Sequence, residues 1–234
     1  MLSFKIFTIF PEIFPGCLDF SVTGIALQKK LWQIEAINIR DYALDKHKTV
    51  DDIIYGGGSG LLLKPDVIAN ALESNLNFLK QDKVNKRIIY LSPRGRLFNQ
   101  KIAQDLAKLD EIAILCGRYE GIDQRILDEF CIEEISIGDY ILSGGEVAAL
   151  SFIDAIVRNI DGVLGDDNSR HEESFGSNEN KEFQKLLEYD QYTRPVDWRG
   201  RKVPEILTSG NHLKIKKWRL ENAAIKTKKN RPDL

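Results

Sequence analysis

The sequence is poor in cysteine and histidine, with three residues of each among 234. Cys17, Cys116 and Cys131 form no CxxC pair and the histidines are equally scattered, so we expect neither a disulfide framework nor a metal cluster. No apolar run approaches the roughly 18 residues of a membrane span. The GxGxxG and GxxxxGK[ST] signatures of nucleotide-binding loops are also missing. These absences favour a cytoplasmic protein that makes no use of a membrane.

Charge is distributed unevenly along the chain. The net charge is −2, yet residues 199–234 hold eleven Lys and Arg against three Asp and Glu, which leaves −10 for residues 1–198. A basic tail of this size indicates an anionic partner, with nucleic acid as the leading candidate. The alternative is an ordinary solvated, basic helix.

Short β-branched runs alternate with amphipathic stretches along the first two thirds of the sequence. The runs typical of buried strands are residues 5–10, 34–40, 87–91 and 111–116. The stretches with helical spacing are residues 64–79, 99–109 and 145–160. In the last of these, the predicted buried stripe is Val147, Leu150, Ile153, Val157 and Ile160. The alternation predicts an α/β fold with a mainly parallel sheet.

A stretch rich in Gly, Asn, Ser and acid, residues 161–180, lacks apolar periodicity and is typical of a flexible linker. It separates a predicted α/β domain, residues 1–160, from a small, mostly helical and basic domain, residues 181–234. Inside the small domain, residues 206–220 have the pattern of a turn followed by a basic helix.

Three loops rich in Gly and Pro each follow a predicted strand: LSPRG (residues 91–95), CGRYEG (116–121) and SIGDYILSGGE (136–146). Ligands of parallel sheets bind beyond the carboxyl ends of the strands, where such loops present backbone groups to a bulky cofactor. Each loop alone is more often plain turn chemistry. A fourth glycine-rich segment, YGGGSG (55–60), is a candidate phosphate cradle and is equally well explained as a flexible loop.

Six segments appear in the order in which one enzyme family carries them: IFTIFPEIF, DKHKTVDDIIYGGGSGLLLKP, YLSPRGR, CGRYEGIDQR, SIGDYILSGGE and YTRP. From near residue 5 to about residue 231 the chain resembles the bacterial tRNA (guanine-N1)-methyltransferases of the SPOUT class. The resemblance implies methyl transfer from S-adenosylmethionine to N1 of the guanine immediately 3′ of the anticodon, position 37 of tRNA. It also implies a homodimer with its active site between subunits, and tRNA rather than DNA as the partner.

In that family the three loops form a deep trefoil knot that holds the methyl donor in a bent shape. Nothing in the composition or spacing predicts a knot, since unknotted chains are the strong default. The resemblance implies cofactor binding by Tyr90, Leu91, Pro93, Gly117, Tyr119, Glu120, Ile137, Gly138, Asp139, Tyr140, Ile141, Leu142, Gly144 and Gly145.

Guanine N1 carries a proton at neutral pH, so its methylation needs a base and a partner for the charge that develops on O6. The resemblance implies Glu173 as the base and Arg158 as the cation, with Mg²⁺ assisting and no metal ligand assigned. The family pattern has aspartate where this sequence has Glu173, and Glu172 is the alternative base. Without the resemblance, Arg158 is a surface partner of Asp154, and both glutamates are solvated linker acids.

The tRNA surface is expected to combine the basic tail, for phosphate contacts, with N-terminal loops near the pocket of an extruded guanine. Its predicted residues are Asp51, Gly60, Arg199, Arg201, Lys202, Lys214, Lys216, Lys217 and Arg219. Asp51 and Gly60 are otherwise ordinary turn residues, and YTRP (192–195) is otherwise a structural turn of the small domain.

Three other functions compete with guanine-N1 methylation. A knotted methyltransferase that acts on a ribose 2′-hydroxyl or on a ribosomal base is the nearest, and the linker carboxylate argues for the ring nitrogen. A noncatalytic RNA-binding protein would use the basic tail and bind S-adenosylmethionine weakly. A phosphate-binding enzyme built on GGGSG lacks the lysine that such a loop requires.

Overall fold

The computed structural model describes residues 1–80, 85–165, 173–175, 183 and 185–234. The chain divides into two compact units, Met1–Val163 and Leu164–Leu234. Part of the predicted linker, residues 166–172 and 176–180, lies outside the described residues, so the linker and the domain limits drawn from it stay predictions. The described parts of the chain contain no helix long and apolar enough to cross a membrane.

Nine strands are found in the described residues: β1 (Leu2–Thr8), β2 (Trp32–Asn38), β3 (Asp51–Ile53), β4 (Leu61–Leu63), β5 (Lys86–Leu97), β6 (Glu111–Leu115), β7 (Glu133–Ser136), β8 (Asp197–Trp198) and β9 (Arg201–Lys202). Five of them form one sheet in the order β2–β1–β6–β5–β7, with every neighbouring pair parallel. The prediction of an α/β fold with a mainly parallel sheet is confirmed. The pairs β3–β4 and β8–β9 are separate antiparallel hairpins.

The helices of the described residues are α1 (Ser21–Gln28), α2 (Pro65–Asn75), α3 (Gln100–Leu106), α4 (Gln124–Phe130), α5 (Gly145–Val157), α6 (Glu205–Thr208) and α7 (His212–Asn230). Their first turns follow the sequence closely. Pro65 opens α2, where its missing N–H costs no hydrogen bond, and the side chain of Asn99 caps α3 by accepting from Ile102 N at 3.0 Å. Helix α2 ends at Asn75 rather than at residue 79, because the backbone leaves the helical region at Leu76.

Strand β5 differs from its prediction, which ended it at Leu91. It runs on to Leu97 beside β7, and both Leu91 and Arg96 pair with Ile135. The four residues between Leu91 and Arg96 therefore form a bulge. Pro93 lies within this bulge, where the N–H it lacks is not needed for the ladder. The LSPRG loop is thus an excursion within a strand rather than the end of one.

Alternation along the strands builds an apolar layer on each face of the sheet. Phe4 and Ile6 of β1 belong to a core cluster that includes Trp32 and Phe152. Phe7 belongs to a second cluster, whose helical members come from α2 and α4. Both faces are therefore covered, as the near-continuous apolar strands require.

Most of the stripe predicted for residues 145–160 faces the core, with Leu150 and Ile160 packed against it as partly buried residues. Ile153 and Val157 are buried as expected, but the side chain of Val147 is 57% exposed. The buried positions at the start of the helix are Ala148 and Ala149 instead. Small side chains let the helix backbone approach the sheet closely, which a hydrophobicity pattern weighted towards large residues misses.

The second unit has a small core in its described residues. Phe183, Tyr189 and Ala223 are buried, and Trp218 packs against them from α7. A hydroxyl extends this packing, because Thr227 Oγ1 accepts from the backbone N–H of Leu187 at 2.8 Å. The basic helix expected within residues 206–220 is present as α7, and it continues to Asn230.

Candidate active site

A cavity of about 270 Å³ lies at the bulge of β5 and the carboxyl ends of β6 and β7. Of the fourteen residues predicted to bind the cofactor, thirteen line it, all except Asp139. They come from three separate stretches of chain: the bulge of β5, the loop after β6 and the loop between β7 and α5. The structure therefore brings together the three loops that the sequence marked by their glycines and proline.

The second and third loops touch through their backbones. The N–H of Gly145 donates to the carbonyl of Gly117 at 2.9 Å. A Cβ on Gly145 would lie 2.8 Å from the Cα of Cys116, and one on Gly117 would lie 2.7 Å from Tyr90 Oη. Any side chain at these two positions would separate the loops, so the wall of the cavity depends on glycine at both.

Tyr90 lines the base of the cavity and is only 6% exposed. Burial raises the pKa of its phenol, an effect that Glu134 strengthens and Arg94 opposes. The hydroxyl therefore stays protonated at neutral pH and remains a neutral hydrogen-bonding group. The site thus offers a wall of backbone groups and apolar side chains with one buried phenol.

Tyr119, in the second loop, adopts a positive φ of 58° while its side chain is 49% exposed. A non-glycine residue in this region is strained by an amount on the order of 1 kcal/mol and persists only where its surroundings hold it. Here the carbonyl of Leu61 accepts from the N–H of Glu120 at 3.0 Å, and the carbonyl of Gly121 accepts from the N–H of Leu63 at 3.0 Å. The β3–β4 hairpin thus fastens the second loop.

Seven further residues line the cavity that the sequence did not predict: Ser92, Arg118, Gly121, Ile135, Ser136, Ser143 and Ala148. All but Ile135 and Ala148 lie inside the three loop segments. The whole loop segments could have predicted these residues, because every residue of a tight turn around a ligand lies close to that ligand. Arg118 is the one charged side chain among these seven.

The two predicted catalytic residues belong to different units. Arg158 caps the C-terminus of α5 in the first unit, and its N–H donates to the carbonyl of Asp154 at 3.2 Å. Its side chain is half-buried. Glu173 is a half-buried residue of the second unit, and the alternative base, Glu172, lies outside the described residues.

Two predicted tRNA-binding residues belong to the β3–β4 hairpin. Asp51 begins β3, and Gly60 precedes β4 with a φ of 102°. A Cβ on Gly60 would collide with the side chain of Glu120, which lines the cavity. The last glycine of the YGGGSG loop therefore lies against the rim of the cavity.

The seven predicted tRNA-binding residues of the tail lie on the β8–β9 hairpin and α7. Six are exposed: Arg199, Arg201, Lys202, Lys214, Lys216 and Lys217. The seventh, Arg219, is half-buried, and its guanidinium lies 4.8 Å from the centre of the Tyr189 ring. Arg219 therefore also contributes to the packing of the second unit.

Acidic and sulfur ligands are not gathered anywhere in the described residues. No group of three or more His, Cys, Asp or Glu side chains there is arranged to hold a metal ion. Cys116 is buried, whereas Cys17 and Cys131 are exposed and unlinked.

Comparisons with known proteins agree with these features. The family model described as tRNA (Guanine-1)-methyltransferase TrmD matches residues 2–234. A tRNA (guanine-N(1)-)-methyltransferase of Wolbachia pipientis subsp. Culex pipiens is 51% identical over 99% of this chain and 96% of its own length. Its counterpart in Wolbachia pipientis wMel is 52% identical over 98% and 93%. That of Rickettsia akari is 49% identical over 100% and 97%.

These matches cover all three loops of the cavity and the basic tail alike. The matched residues include the whole sheet, the cavity wall and the β8–β9 hairpin. The chain therefore belongs to the tRNA (guanine-N1)-methyltransferase family of enzymes.

Proposed function

We propose that this enzyme transfers a methyl group from S-adenosylmethionine to N1 of the guanine immediately 3′ of the anticodon, position 37, in tRNA. The observation that carries the proposal is the glycine-walled cavity at the bulge of β5 and the carboxyl ends of β6 and β7, in a chain of this family. The relatives are named for guanine-N1 methylation of tRNA.

The lining of the cavity fits this methyl donor. Backbone groups of the second and third loops suit the polar edge of adenine and a ribose, and Leu91, Ile137 and Leu142 provide apolar surface. The donor supplies a methyl group already activated on a sulfonium, so the protein has to position it rather than activate it. The trefoil knot belongs to this proposal and rests on the family to which the chain belongs.

In the proposed reaction Glu173 accepts the N1 proton of guanine. The electron pair freed on N1 forms the new bond to the methyl carbon, the carbon–sulfur bond breaks, and the sulfonium becomes a neutral thioether. Arg158 stabilises the negative charge on O6, a role that suits a guanidinium because it cannot lose its proton. The half-buried environment of Arg158 strengthens such an interaction relative to water.

The enzyme is proposed to act in the cytoplasm as a homodimer with the active site between subunits. Several large apolar side chains of the first unit are exposed in the single chain and a second copy would cover them: Phe20, Ile25, Ile53, Ile141 and Val147. Ile141 belongs to the third loop, so a partner that covers it would border the cavity. Sedimentation that reports a monomer at micromolar concentration would contradict this part.

Magnesium is proposed to assist without a cage of protein ligands. Mg²⁺ keeps several of its waters and is held through one or two carboxylates together with phosphates. A site of this kind needs no cluster of three or more His, Cys, Asp or Glu side chains, and the described residues contain none.

The decisive experiment measures transfer of a labelled methyl group to unmodified tRNA transcripts with guanine or adenine at position 37. We expect label only in the guanine transcript, and nucleoside analysis should identify 1-methylguanosine. A 2′-O-methyl product, or equal labelling of the adenine transcript, would refute the proposed reaction.

The base is tested separately by Glu173→Gln, which keeps the side-chain size and removes the proton acceptor. We expect turnover to fall by about 10²–10⁴-fold, the usual contribution of a positioned base. Glu73→Gln, at an exposed position of α2, is the matched control and should keep full turnover. If Glu173→Gln turns over like the wild type, Glu172→Gln becomes the test of the alternative base.

A further inference from the structure

A carboxylate is buried directly behind the wall of the cavity. Glu146, in the first turn of α5, is 1% exposed and does not itself line the cavity. Its Oε1 accepts a hydrogen bond from Thr8 Oγ1 at 2.7 Å. Its Oε2 lies 2.9 Å from Nη2 of Arg118, as an ion pair outside hydrogen-bond geometry. The carboxylate therefore connects the end of β1 to the second loop.

Arg118 in turn connects the second loop to the third. Its Nη1 donates to the carbonyl of Ser143 at 3.2 Å. Its guanidinium packs so closely below Gly144 that a Cβ there would collide with it. On its other side, the guanidinium carbon lies 4.5 Å from the centre of the Phe10 ring. Arg118, Ser143 and Gly144 all line the cavity, so the position of this side chain shapes the wall.

A charged pair with one buried member is an expensive way to connect three segments if stability alone is at stake, because the Glu146 side chain is 1% exposed and that of Arg118 23%. Apolar side chains would fill the same space without the cost of removing the carboxylate from water. The thiol of Cys116 nearby does not compete for the arginine, because burial and the charge of Glu146 raise its pKa and keep it neutral. Glu146 is thus the anion that orients Arg118.

We propose that Glu146, fixed by Thr8, is a positioning residue for binding of the methyl donor. It holds Arg118 in the orientation that fixes the carbonyl of Ser143 and the backbone of Gly144 on the cavity wall. Glu146 touches neither the donor nor the guanine and acts through Arg118. This inference rests on the proposed function, because it takes the ligand of the cavity to be S-adenosylmethionine.

The test uses Glu146→Gln, which keeps the shape of the side chain and removes its charge. The dissociation constant for S-adenosylmethionine is measured by calorimetry on the full chain, and KM and kcat are measured for both substrates. We expect the dissociation constant and KM of the donor to rise roughly tenfold or more, because Arg118 loses the charged partner that orients it. The KM for tRNA and kcat at saturating donor should stay near the wild-type values.

Two further variants separate positioning from general destabilisation. Thr8→Val removes the hydroxyl that donates to Glu146 and that also accepts from the backbone N–H of Phe10 at 3.0 Å. Its smaller effect on donor affinity should shrink in the Glu146→Gln background, and what remains there reports the bond to Phe10. Glu111→Gln changes a partly buried carboxylate at the start of β6, the opposite end of the sheet, where Lys5 and Lys86 lie 3.8 and 3.9 Å away. It should lower the thermal midpoint and leave donor affinity unchanged.

The outcomes are distinguishable. A folded Glu146→Gln enzyme with wild-type donor affinity overturns the inference, and so does an equal rise in both KM values. If Glu146→Gln does not fold, Thr8→Val decides: unchanged donor affinity in that variant also overturns it. Failure of the wild-type enzyme to bind the donor would instead refute the proposed function.

Discussion

The two compact units bury apolar surface to very different extents. The first unit has a layer on each face of its sheet, with Trp32, Phe4 and Phe152 fully enclosed. In the described part of the second unit the buried apolar cluster consists of Phe183, Tyr189 and Ala223, while most of the cations around it are exposed. The first unit is closely packed at its site, whereas the second unit presents charge on its surface.

This difference implies two kinds of recognition. At the cavity, loops that touch through glycine backbones leave no room for an added atom, so binding there depends on shape. On the tail, exposed lysines and arginines interact with an anion over several ångströms and are screened by salt. A single substitution at the cavity should therefore cause a large loss of ligand affinity. Substitutions on the tail should instead lower affinity in proportion to the charge removed.

The largest effect is expected for Gly145→Ala. Its Cβ would lie 2.8 Å from Cys116 Cα and 2.9 Å from the N of Gly117, and neither backbone atom can move without shifting the second loop. Overpacking of this kind costs about 1–3 kcal/mol, which corresponds to a loss of up to about a hundredfold in affinity for S-adenosylmethionine. Calorimetry with the methyl donor measures it.

Gly165→Ala is the matched control for the added methyl group. Among the described residues, a Cβ at Gly165 meets no atom within 4 Å, so donor affinity and the thermal midpoint should stay at the wild-type values. Wild-type donor affinity in Gly145→Ala would mean that the cavity tolerates expansion, and the contrast between shape and charge would not hold.

An intermediate effect is expected when charge is removed from the β8–β9 hairpin. In the double variant Arg201→Gln and Lys202→Gln, two exposed cations are removed. The slope of log affinity for tRNA against log salt should become shallower by about 0.7–0.9 for each phosphate that the variant no longer neutralises, with affinity lower by roughly tenfold at low salt. Filter binding over a salt series measures both quantities.

A double variant of the first unit, Lys30→Gln with Lys108→Gln, provides the charge-matched control. Both lysines are exposed and lie just before strands β2 and β6, at the end of the sheet opposite the cavity. Their removal should leave the salt slope unchanged. A slope that responds equally to both double variants would show that net charge, rather than the tail, attracts the tRNA.

The sequence predicted the first unit well where the signal was local. The apolar runs located β1, β2 and β6 to within a few residues, and the glycines located the loops of the cavity. The sequence placed a strand before the third loop but gave no bounds for β7, because Glu133 and Glu134 make that segment look polar. Those glutamates pair with Arg96 of β5 and Arg94 of its bulge, partners about 40 residues away that no local pattern reveals.

The candidate site shows the same limit. The roles of Glu173 and Arg158 came from the resemblance, and they stay predictions. The hydrogen bond between Glu146 and Thr8 joins residues 138 positions apart and follows no motif. Sequence reasoning therefore finds the loops that carry a ligand more readily than the side chains that hold those loops in place.

The smallest effect is expected in the second unit for Asp190→Asn. Lys226 and then Asn222 hold the pKa of Asp190 below its usual value, with Lys226 Nζ 2.6 Å from its Oδ1. A lowered pKa in the folded state stabilises it above the unfolded pKa of about 3.9, and this stabilisation is lost as the pH falls through the folded pKa.

Because the Asp190 side chain is 45% exposed, its pair with Lys226 should contribute only about 0.2–1 kcal/mol. Urea unfolding should therefore show a slightly lower midpoint for Asp190→Asn at pH 7, and a difference that disappears near pH 2. Asp105→Asn makes the same change on α3, where Lys101 and the neighbouring Lys108 lower the carboxyl pKa. Asp105 pairs with Lys101 of α3 and with Lys108 just beyond that helix, whereas Asp190 joins its segment to α7 through Lys226 and Asn222. A larger drop in the midpoint for Asp105→Asn would contradict the view that the second unit depends more heavily on its charged contacts.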